Sequence, residues 1–301
     1  MSDQLNLLLE NETKKIFLDV KALMLSKISH VALNSTDNII ISAFIGIKWT
    51  GLLSNFTMIS DAVTSILCQI TSAIMGSLGN FFAKEDKESG FKLFVHVDFM
   101  NFWLYGFSLI ALIVLLNPFI YLWLGKDFML SQGTVVALSI NFFVAGFMNT
   151  LWTFRSTLGL FTQGQYRPLI VALLNITLSI IFSYKWGITG VLAATSLSRA
   201  CVNLWYDPWL IHRKGFNKSV IPYFKKYIVR ILLLVLLSLV LVFISNKIVF
   251  LDNITIARFI FMAVFLTIVV NVIFFVVYFK TEEFQYFCRL VKQRLIMRKK
   301  K

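Results

Sequence analysis

The chain has 301 residues, of which 58% are hydrophobic, 30 are Phe and only 15% are charged, and its mean hydropathy is +0.77. A soluble domain of this length needs far more polar surface, so the composition excludes an ordinary soluble protein and indicates an integral membrane protein. The net charge of +14 lies mostly in short stretches between apolar runs, which is typical of membrane orientation signals rather than of a nucleic-acid-binding surface.

The segment 1–24 is polar, and its second half is amphipathic. Ile16 and Val20 recur at helical spacing, and Lys14 and Lys21 lie on the opposite side of the same helix. A helix of this kind lies along a membrane surface rather than across it. We therefore predict that 1–24 is a cytoplasmic amphipathic leader.

Eight apolar segments follow, separated by short stretches that contain charged residues, Gly or Pro. Each is close to or above the ~20 residues that a helix needs to cross ~30 Å of hydrocarbon. The sequence therefore predicts an all-α integral membrane protein with about eight transmembrane helices. The predicted spans are 25–46, 52–80, 99–124, 134–161, 167–185, 188–210, 227–249 and 255–279.

The distribution of Lys and Arg predicts how these spans are oriented. With eight spans both ends lie on one side of the membrane, and that side holds 21 of the 29 cations. Five cations fall on the opposite side, namely Lys48, Lys126, Lys185, Lys247 and Arg258. This asymmetry predicts that both termini are cytoplasmic. The basic tail, 280–301, is expected to lie on the anionic inner leaflet rather than to bind nucleic acid.

The first span contains a stripe of polar residues. On a helix, Lys27, His30, Asn34 and Asp37 fall within one narrow arc. A charge at the centre of a bilayer costs at least ~2.5–3.5 kcal/mol, so such a stripe is expected to face a bundle interior or a wet cavity. Lys27 fits an anchor at the membrane interface. For Asp37 two roles stay open, helix packing through hydrogen bonds or coupling to an ion, with His30 and Asn34 as further candidates for coupling.

The second span carries a carboxylate of its own, Asp61. Ser54, Thr57 and Thr64 lie on the same helix face. The same two roles stay open for Asp61, because small hydroxyl side chains on such a face also let helices approach closely.

The fourth and sixth spans each contain an arginine in their cytoplasmic half. The two arginines are Arg155 and Arg199, and the amide and aromatic side chains on the same helix faces are Asn141, Trp152, Asn203 and Tyr206. One interpretation is that the arginines reach back to the inner interface. The other, which we favour, is that they line an inward-facing cavity and bind a phosphate, while the amides and aromatic rings contact a sugar.

No catalytic or metal-binding pattern emerges from the sequence. The three histidines, His30, His96 and His212, are scattered without the spacing of metal ligands. There is also no phosphate-binding loop and no nucleophile motif. We therefore predict a protein that is not an enzyme and that needs no metal or other cofactor.

Three stretches of the sequence stand out as motifs. They are the lysine-flanked segment ETKKIFLDVKALMLSKI at 12–28, the motif TDNIIIS at 36–42 and the turn GNFFAKE at 79–85. Together they resemble motifs of Wzx-type oligosaccharide flippases of the multidrug/oligosaccharidyl-lipid/polysaccharide exporter superfamily. In that family such motifs mark the start of the second lobe. The resemblance runs from about residue 12 to 280, and its motifs do not specify a substrate.

The resemblance implies a six-helix lobe like that of multidrug exporters, 25–210, followed by a basic loop and two extra spans, 211–279. It also implies translocation of polyprenyl-pyrophosphate-linked oligosaccharide repeat units across the bacterial cytoplasmic membrane for capsule or O-antigen synthesis. Such proteins are expected to have roughly fourteen spans in two lobes around a cavity. This chain resembles the C-terminal lobe, so the expected partners are the lipid-linked oligosaccharide, membrane lipids and a separate chain that supplies an N-terminal lobe. Asp37 or Asp61 would couple the cycle to protons or sodium.

Three alternatives stay open at this stage. A multidrug exporter of the same superfamily would favour cationic aromatic substrates, against which the cavity arginines argue. A membrane polymerase or acyltransferase of polysaccharide assembly would need a large external loop or a catalytic His, Asp and Arg set. The third alternative is a scaffold subunit or remnant that does not transport anything, which would need neither a large external loop nor a catalytic set.

Overall fold

The computed structural model describes residues 13–14, 16–21, 23–25, 27, 35–75, 86–248 and 254–299. Within these residues the regular secondary structure is helical and no strand occurs. Six of the helices are long and apolar enough to cross a membrane. Within the described residues this confirms the all-helical class and supports a multi-pass membrane protein, while the number of about eight spans stays a prediction.

Eight helices organise the part of the chain from residue 35 onward that the structure describes. They are α1 (Ser35–Ile45), α2 (Ile47–Met75), α3 (Lys87–Leu124), α4 (Gln132–Thr157), α5 (Arg167–Leu210), α6 (Ile221–Ile248), α7 (Ile256–Tyr278) and α8 (Glu282–Lys299). The last five residues of α1, Ile41–Ile45, form a π-helical turn. Gly46, whose φ of 126° suits glycine, separates α1 from α2.

α5 is a helical hairpin rather than one straight rod. Its backbone leaves the helical conformation at Gly187, where φ is 54° and ψ is −135°, a combination that only glycine adopts readily. Because the chain reverses there, Arg167 and Asp207 meet at the open end in an ion pair of 2.6 Å. The two arms, 167–186 and 188–210, correspond to the fifth and sixth predicted spans.

α3 is the central helix of the lobe, and it contacts α2, α4, α6, α7 and α8. Its packing against α4 is close, because a Cβ atom at Gly146 would overlap the ring of Tyr105. Asn101 also donates a hydrogen bond to the Gly146 carbonyl oxygen at 3.1 Å. A continuous apolar core extends from α1 to α7 through this helix, and a smaller cluster around Phe94 and Phe154 lies beside it.

α3 begins at Lys87, twelve residues before the predicted span at 99–124. The side chain of Asp86 caps its first turn by accepting a hydrogen bond from the Ser89 amide at 3.0 Å. The prediction started later because Asp98 interrupts the apolar pattern. In the structure Asp98 is buried, and Arg230 of α6 compensates its charge at 2.7 Å.

Several predictions concern residues outside the described ranges. They include His30 and Asn34 of the first predicted span and the GNFFAKE turn at 79–85. The described residues of the leader, 13–14, 16–21 and 23–24, are helical, and they expose Ile16 and Phe17, as an amphipathic surface helix would.

Candidate functional site

The carboxylate of Asp37, in α1, lies against both arms of α5. Thr195 donates a hydrogen bond to Oδ2 at 2.7 Å, and Asn175 donates to Oδ1 at 3.4 Å. Asn175 also contacts Thr195 at 2.8 Å and Ser179 at 3.3 Å, and these three side chains are buried. We call this group, with Arg199, the Asp37 cluster.

Arg199 lies on the same arm of α5 as Thr195 and is 8% exposed. Its positive charge attracts the carboxylate of Asp37. The structure therefore brings together one predicted coupling residue and one predicted substrate-binding residue. Because the two opposite charges attract each other, a change of charge at either residue is expected to affect the other.

Asn141, on α4, binds the second arm of α5 instead of facing open space. Its amide nitrogen donates to the Leu192 carbonyl oxygen at 2.8 Å, and its oxygen accepts a hydrogen bond from Ser196 at 2.5 Å. The side chain is therefore fully engaged in helix packing. Its two partners on α5, Leu192 and Ser196, lie within one helical turn of Thr195 in the Asp37 cluster.

Arg155 and Arg167 converge on one carboxylate, Asp207, at the open end of the α5 hairpin. Arg155 Nη1 lies 3.4 Å and Arg167 Nη2 lies 2.6 Å from Asp207 Oδ1, and all three residues are buried. Arg155 also donates to the carbonyl oxygens of Leu160, at 2.8 Å, and of Gln163. It thereby fixes the loop that joins α4 to α5, which is a structural role that does not require a ligand.

The remaining predicted substrate-binding residues surround this group. The guanidinium of Arg167 stacks over the Tyr206 ring at 3.9 Å, and Asn203 Oδ1 lies 3.5 Å from Arg167 Nη1. The Trp152 ring lies 5.6 Å from the Arg155 guanidinium carbon. We call these residues with Arg155 and Asp207 the Asp207 cluster.

The Asp207 cluster carries two guanidinium groups and one carboxylate, so it has one positive charge in excess. Arg167 Nε and the side-chain oxygens of Gln163 and Gln165 are buried there without a hydrogen-bond partner. Excess positive charge beside half-buried aromatic and amide side chains favours an anion that also presents hydroxyl groups.

Asp61, on α2, is exposed, unlike Asp37. It belongs to a run of exposed polar residues within an arc of about 80° along the helix. We call this run the α2 stripe, and its members are Ser54, Asp61, Ser65, Gln69 and Ser72. Thr57 and Thr64, which the sequence places on the Asp61 face, are half-buried and bond to carbonyl oxygens of their own helix.

Asp98, Tyr223 and Arg230 form a further polar group that local sequence patterns do not predict. Asp98 accepts hydrogen bonds from Arg230 at 2.7 Å and from the Tyr223 hydroxyl at 3.2 Å. In the sequence, Asp98 is a lone carboxylate at the edge of one apolar run, and Arg230 is an arginine inside another apolar run. Their pairing over 132 residues of chain was not visible from local patterns.

Comparisons with known proteins add no assignment. A scan against protein-family models, a search of curated proteins and a search of solved structures each found no match. Among the described residues, no group of three or more His, Cys, Asp or Glu side chains is arranged to hold a metal ion.

Proposed function

We propose that this chain forms one lobe of a membrane flippase that moves polyprenyl-pyrophosphate-linked oligosaccharides across the bacterial cytoplasmic membrane. The α2 stripe is the observation that carries this proposal. It places an exposed carboxylate, an amide and three hydroxyl groups along a helix that is long enough to cross a bilayer.

An exposed carboxylate inside hydrocarbon costs at least ~2.5–3.5 kcal/mol, so the α2 stripe is expected to face water or another protein surface. A second helical lobe opposite α2 would enclose a polar cavity between the two, which is the arrangement that alternating access requires. The stripe therefore supports a transporter with a cavity beside α2. In this arrangement the six-helix lobe comprises 25–210, and α6 and α7 are the two extra spans.

The charge of the Asp207 cluster supports an anionic substrate rather than a cationic drug. Pyrophosphate oxygens would be attracted by the excess positive charge, and aromatic rings such as Tyr206 suit the faces of sugars. Asp37 sits beside Arg199 and two hydrogen-bond donors, a site where a change of protonation would alter helix contacts between α1 and α5. We propose it as the coupling residue, and Asp61 as a second one.

The distribution of positive charge also supports an orientation of the chain in the membrane. The Asp207 cluster lies at the end of the α5 hairpin that continues into the basic segment His212–Lys214, and cytoplasmic loops carry the excess of Lys and Arg. We therefore place this end, both termini and the opening to the substrate on the cytoplasmic side. A polymerase or acyltransferase would need external catalytic groups, whereas the titratable clusters lie within the helices.

Cysteine labelling in membranes of the native host tests the proposal. In a background with Cys68, Cys201 and Cys288 replaced by Ser, we expect Ser65→Cys to react with a water-soluble maleimide and Leu236→Cys, on the outward face of α6, not to react. Added polyprenyl-pyrophosphate-linked oligosaccharide should slow the Ser65→Cys reaction. Arg167→Gln, which removes one guanidinium of the Asp207 cluster, should raise the oligosaccharide concentration needed for half-maximal protection by about tenfold, the loss expected for one charged hydrogen bond.

Two results would overturn the proposal. Equal labelling of Ser65→Cys and Leu236→Cys would mean that α2 does not border water. Labelling of Ser65→Cys that the lipid-linked oligosaccharide leaves unchanged, while an aromatic organic cation slows it, would instead favour the multidrug exporter.

A further inference from the structure

Two amide side chains beside the last turns of α4 donate their hydrogen bonds to sulfur atoms. Asn149 Nδ2 lies 3.7 Å from the Sγ atom of Cys68 on α2. Asn203 Nδ2, on the second arm of α5, lies 3.9 Å from the Sδ atom of Met148 on α4. Thiol and thioether sulfurs are weak acceptors, so each amide would gain by exchanging its sulfur for an oxygen. Solvent reaches both residues, since Asn149 is exposed and Asn203 is half-buried.

The half-buried ring of Trp152 lies between these two amides. At 100° per residue around α4, Trp152 falls between Met148, which contacts Asn203 of α5, and Asn149, which contacts α2. We call Asn149, Trp152 and Asn203 the Trp152 face. An aromatic ring with an amide on either side matches a sugar, whose C–H groups pack on a ring face while its hydroxyl oxygens accept hydrogen bonds.

The Trp152 face joins the Asp207 cluster to the α2 stripe. On one side, the guanidinium carbon of Arg155 lies 5.6 Å from the centre of the Trp152 ring. On the other side, Cys68, the contact of Asn149, lies only about 20° around α2 from Asp61, at the edge of the α2 stripe. A ligand whose anionic group occupies the Asp207 cluster would therefore place its adjoining uncharged part on the Trp152 face.

Other side chains that the sequence predicts to contact a sugar are already engaged. Arg167 covers one face of the Tyr206 ring at 3.9 Å. Asn141 donates to and accepts from the second arm of α5. In the part of the chain that the structure describes, the two amides of the Trp152 face donate to sulfur alone, so they are the ones that a sugar hydroxyl can engage at little cost.

We propose that the Trp152 face binds the sugar next to the pyrophosphate of the lipid-linked oligosaccharide. That sugar stacks on Trp152, and Asn149 and Asn203 donate hydrogen bonds to its hydroxyl oxygens. This inference rests on the proposed function and deepens it, because it fixes the order of the substrate along the lobe. The pyrophosphate lies at the Asp207 cluster, and the rest of the oligosaccharide extends toward the α2 stripe.

Binding of two lipids to the purified full chain in detergent tests the site. One is the polyprenyl-pyrophosphate-linked oligosaccharide extracted from the native host, and the other is the sugar-free polyprenyl pyrophosphate that mild acid leaves. Thermophoresis measures both dissociation constants, and their ratio is the sugar preference. We expect tighter binding of the lipid that carries the sugar. Trp152→Leu should lower the sugar preference by about tenfold and Asn149→Leu by about fivefold, whereas Arg167→Gln should weaken the binding of both lipids alike.

Trp186→Leu is the matched control, because Trp186 is an exposed tryptophan at the turn of the α5 hairpin, far along the helix from Asp207. It should keep the sugar preference, and an equal loss in Trp186→Leu and Trp152→Leu would overturn the assignment of the sugar to the Trp152 face. Equal binding of both lipids by the unaltered chain would do the same and leave the flippase proposal in place. Binding of neither lipid would contradict the proposed function itself. Melting temperatures verify folding, and if Trp152→Leu does not fold, an unchanged sugar preference in Asn149→Leu, at an exposed position, overturns the inference.

Discussion

The outward face of α2 and the outward faces of α6 and α7 all lie on the surface of the same lobe, but they differ in chemistry. The α2 stripe presents hydroxyls, an amide and the carboxylate of Asp61. The outward face of α6 and α7, which we call the α6–α7 face, exposes apolar side chains over residues 228–245 and 259–277, apart from Thr267. Its exposed residues include Leu232, Val235, Leu236, Leu239 and Phe243 on α6, and Ile260, Val264, Ile268, Val272 and Phe275 on α7.

All three helices qualify as candidate spans, although α2 is markedly less hydrophobic than α6 and α7. What also separates them is the distribution of polar residues between buried and exposed sides. α6 buries Arg230, and half-buried Asn271 of α7 accepts a hydrogen bond from Trp103, whereas α2 exposes Asp61 and the other members of the α2 stripe. A helix whose polar side chains face outward needs a partner other than lipid, whereas the α6–α7 face needs none.

The largest expected effect concerns the attachment of helices α6 and α7 to the rest of the lobe. Arg230 of α6 and Asp98 of α3 form a buried ion pair, so removing one partner leaves a charge without compensation. We expect Arg230→Met to lower the free energy of unfolding by about 3–5 kcal/mol. Detergent-induced unfolding of the purified chain, followed by circular dichroism, measures it.

Two variants control that experiment. The double variant Asp98→Asn with Arg230→Met should regain much of the lost stability, because no buried charge is left alone. Lys218→Met removes an exposed ion pair with Glu88 that is 2.6 Å long, and it should cost less than about 1 kcal/mol. If Arg230→Met and Lys218→Met lowered the free energy of unfolding equally, burial would not be the reason that the Asp98–Arg230 ion pair stabilises the chain.

The second expected effect compares the two outward faces directly. Leu236, on the α6–α7 face, is 60% exposed, and Met58, between members of the α2 stripe, is 53% exposed. Leu236→Asp should impair membrane insertion by ~2.5–3.5 kcal/mol, the cost of a carboxylate at the centre of a spanning helix. Met58→Asp should be tolerated, because its surroundings already accommodate Asp61.

The carbonate-resistant fraction of each variant in isolated membranes measures insertion. Leu236→Met and Met58→Leu are the matched controls, since they change shape without adding charge. Equal impairment by Leu236→Asp and Met58→Asp would show that both faces meet lipid, and the contrast between them would then carry no functional meaning.

The all-helical class and the α5 hairpin were predictable from the sequence. Apolar runs of spanning length specify helices in a bilayer, and the break at Gly187 follows from a backbone conformation that glycine permits. The face shared by Ser54 and Asp61 also follows from helical periodicity. Periodicity cannot tell whether that face is buried or exposed, because this depends on where the other helices pack.

The arrangement of the site was less predictable, for a physical reason. The sequence placed Arg155 and Arg199 in one cavity, whereas the structure puts them in separate clusters, with Asp207 and Asp37 as their respective opposite charges. Those partners lie on other helices or on another part of the same hairpin. Ion pairs between helices depend on packing geometry, which local patterns do not encode, so the roles in binding and coupling stay predictions.

The smallest expected effect concerns the end of the α6–α7 face, where α8 begins. Glu283 is buried, which by itself would raise its pKa, but a hydrogen bond from Lys226 at 2.8 Å and the nearby positive charges outweigh this and lower the pKa below the usual 4.5. The ionised form is thus favoured in the folded chain, and its stabilising contribution is fully present above the usual pKa of 4.5. It is lost as the pH falls through the lowered pKa.

We therefore expect the melting temperature of the chain in detergent to fall by a few degrees as the pH decreases from 5 to 3, with part of that fall due to Glu283. Glu283→Gln should reduce the dependence on pH, and Glu282→Gln, at the exposed neighbouring position, should not. The effect is small because Lys226 is 60% exposed, so water screens the pair. If Glu283→Gln kept the full pH dependence, the Lys226–Glu283 pair would not stabilise the junction of α6 with α8, and apolar packing alone would hold it. The polar contacts that attach α6 and α7 would then be confined to those with α3.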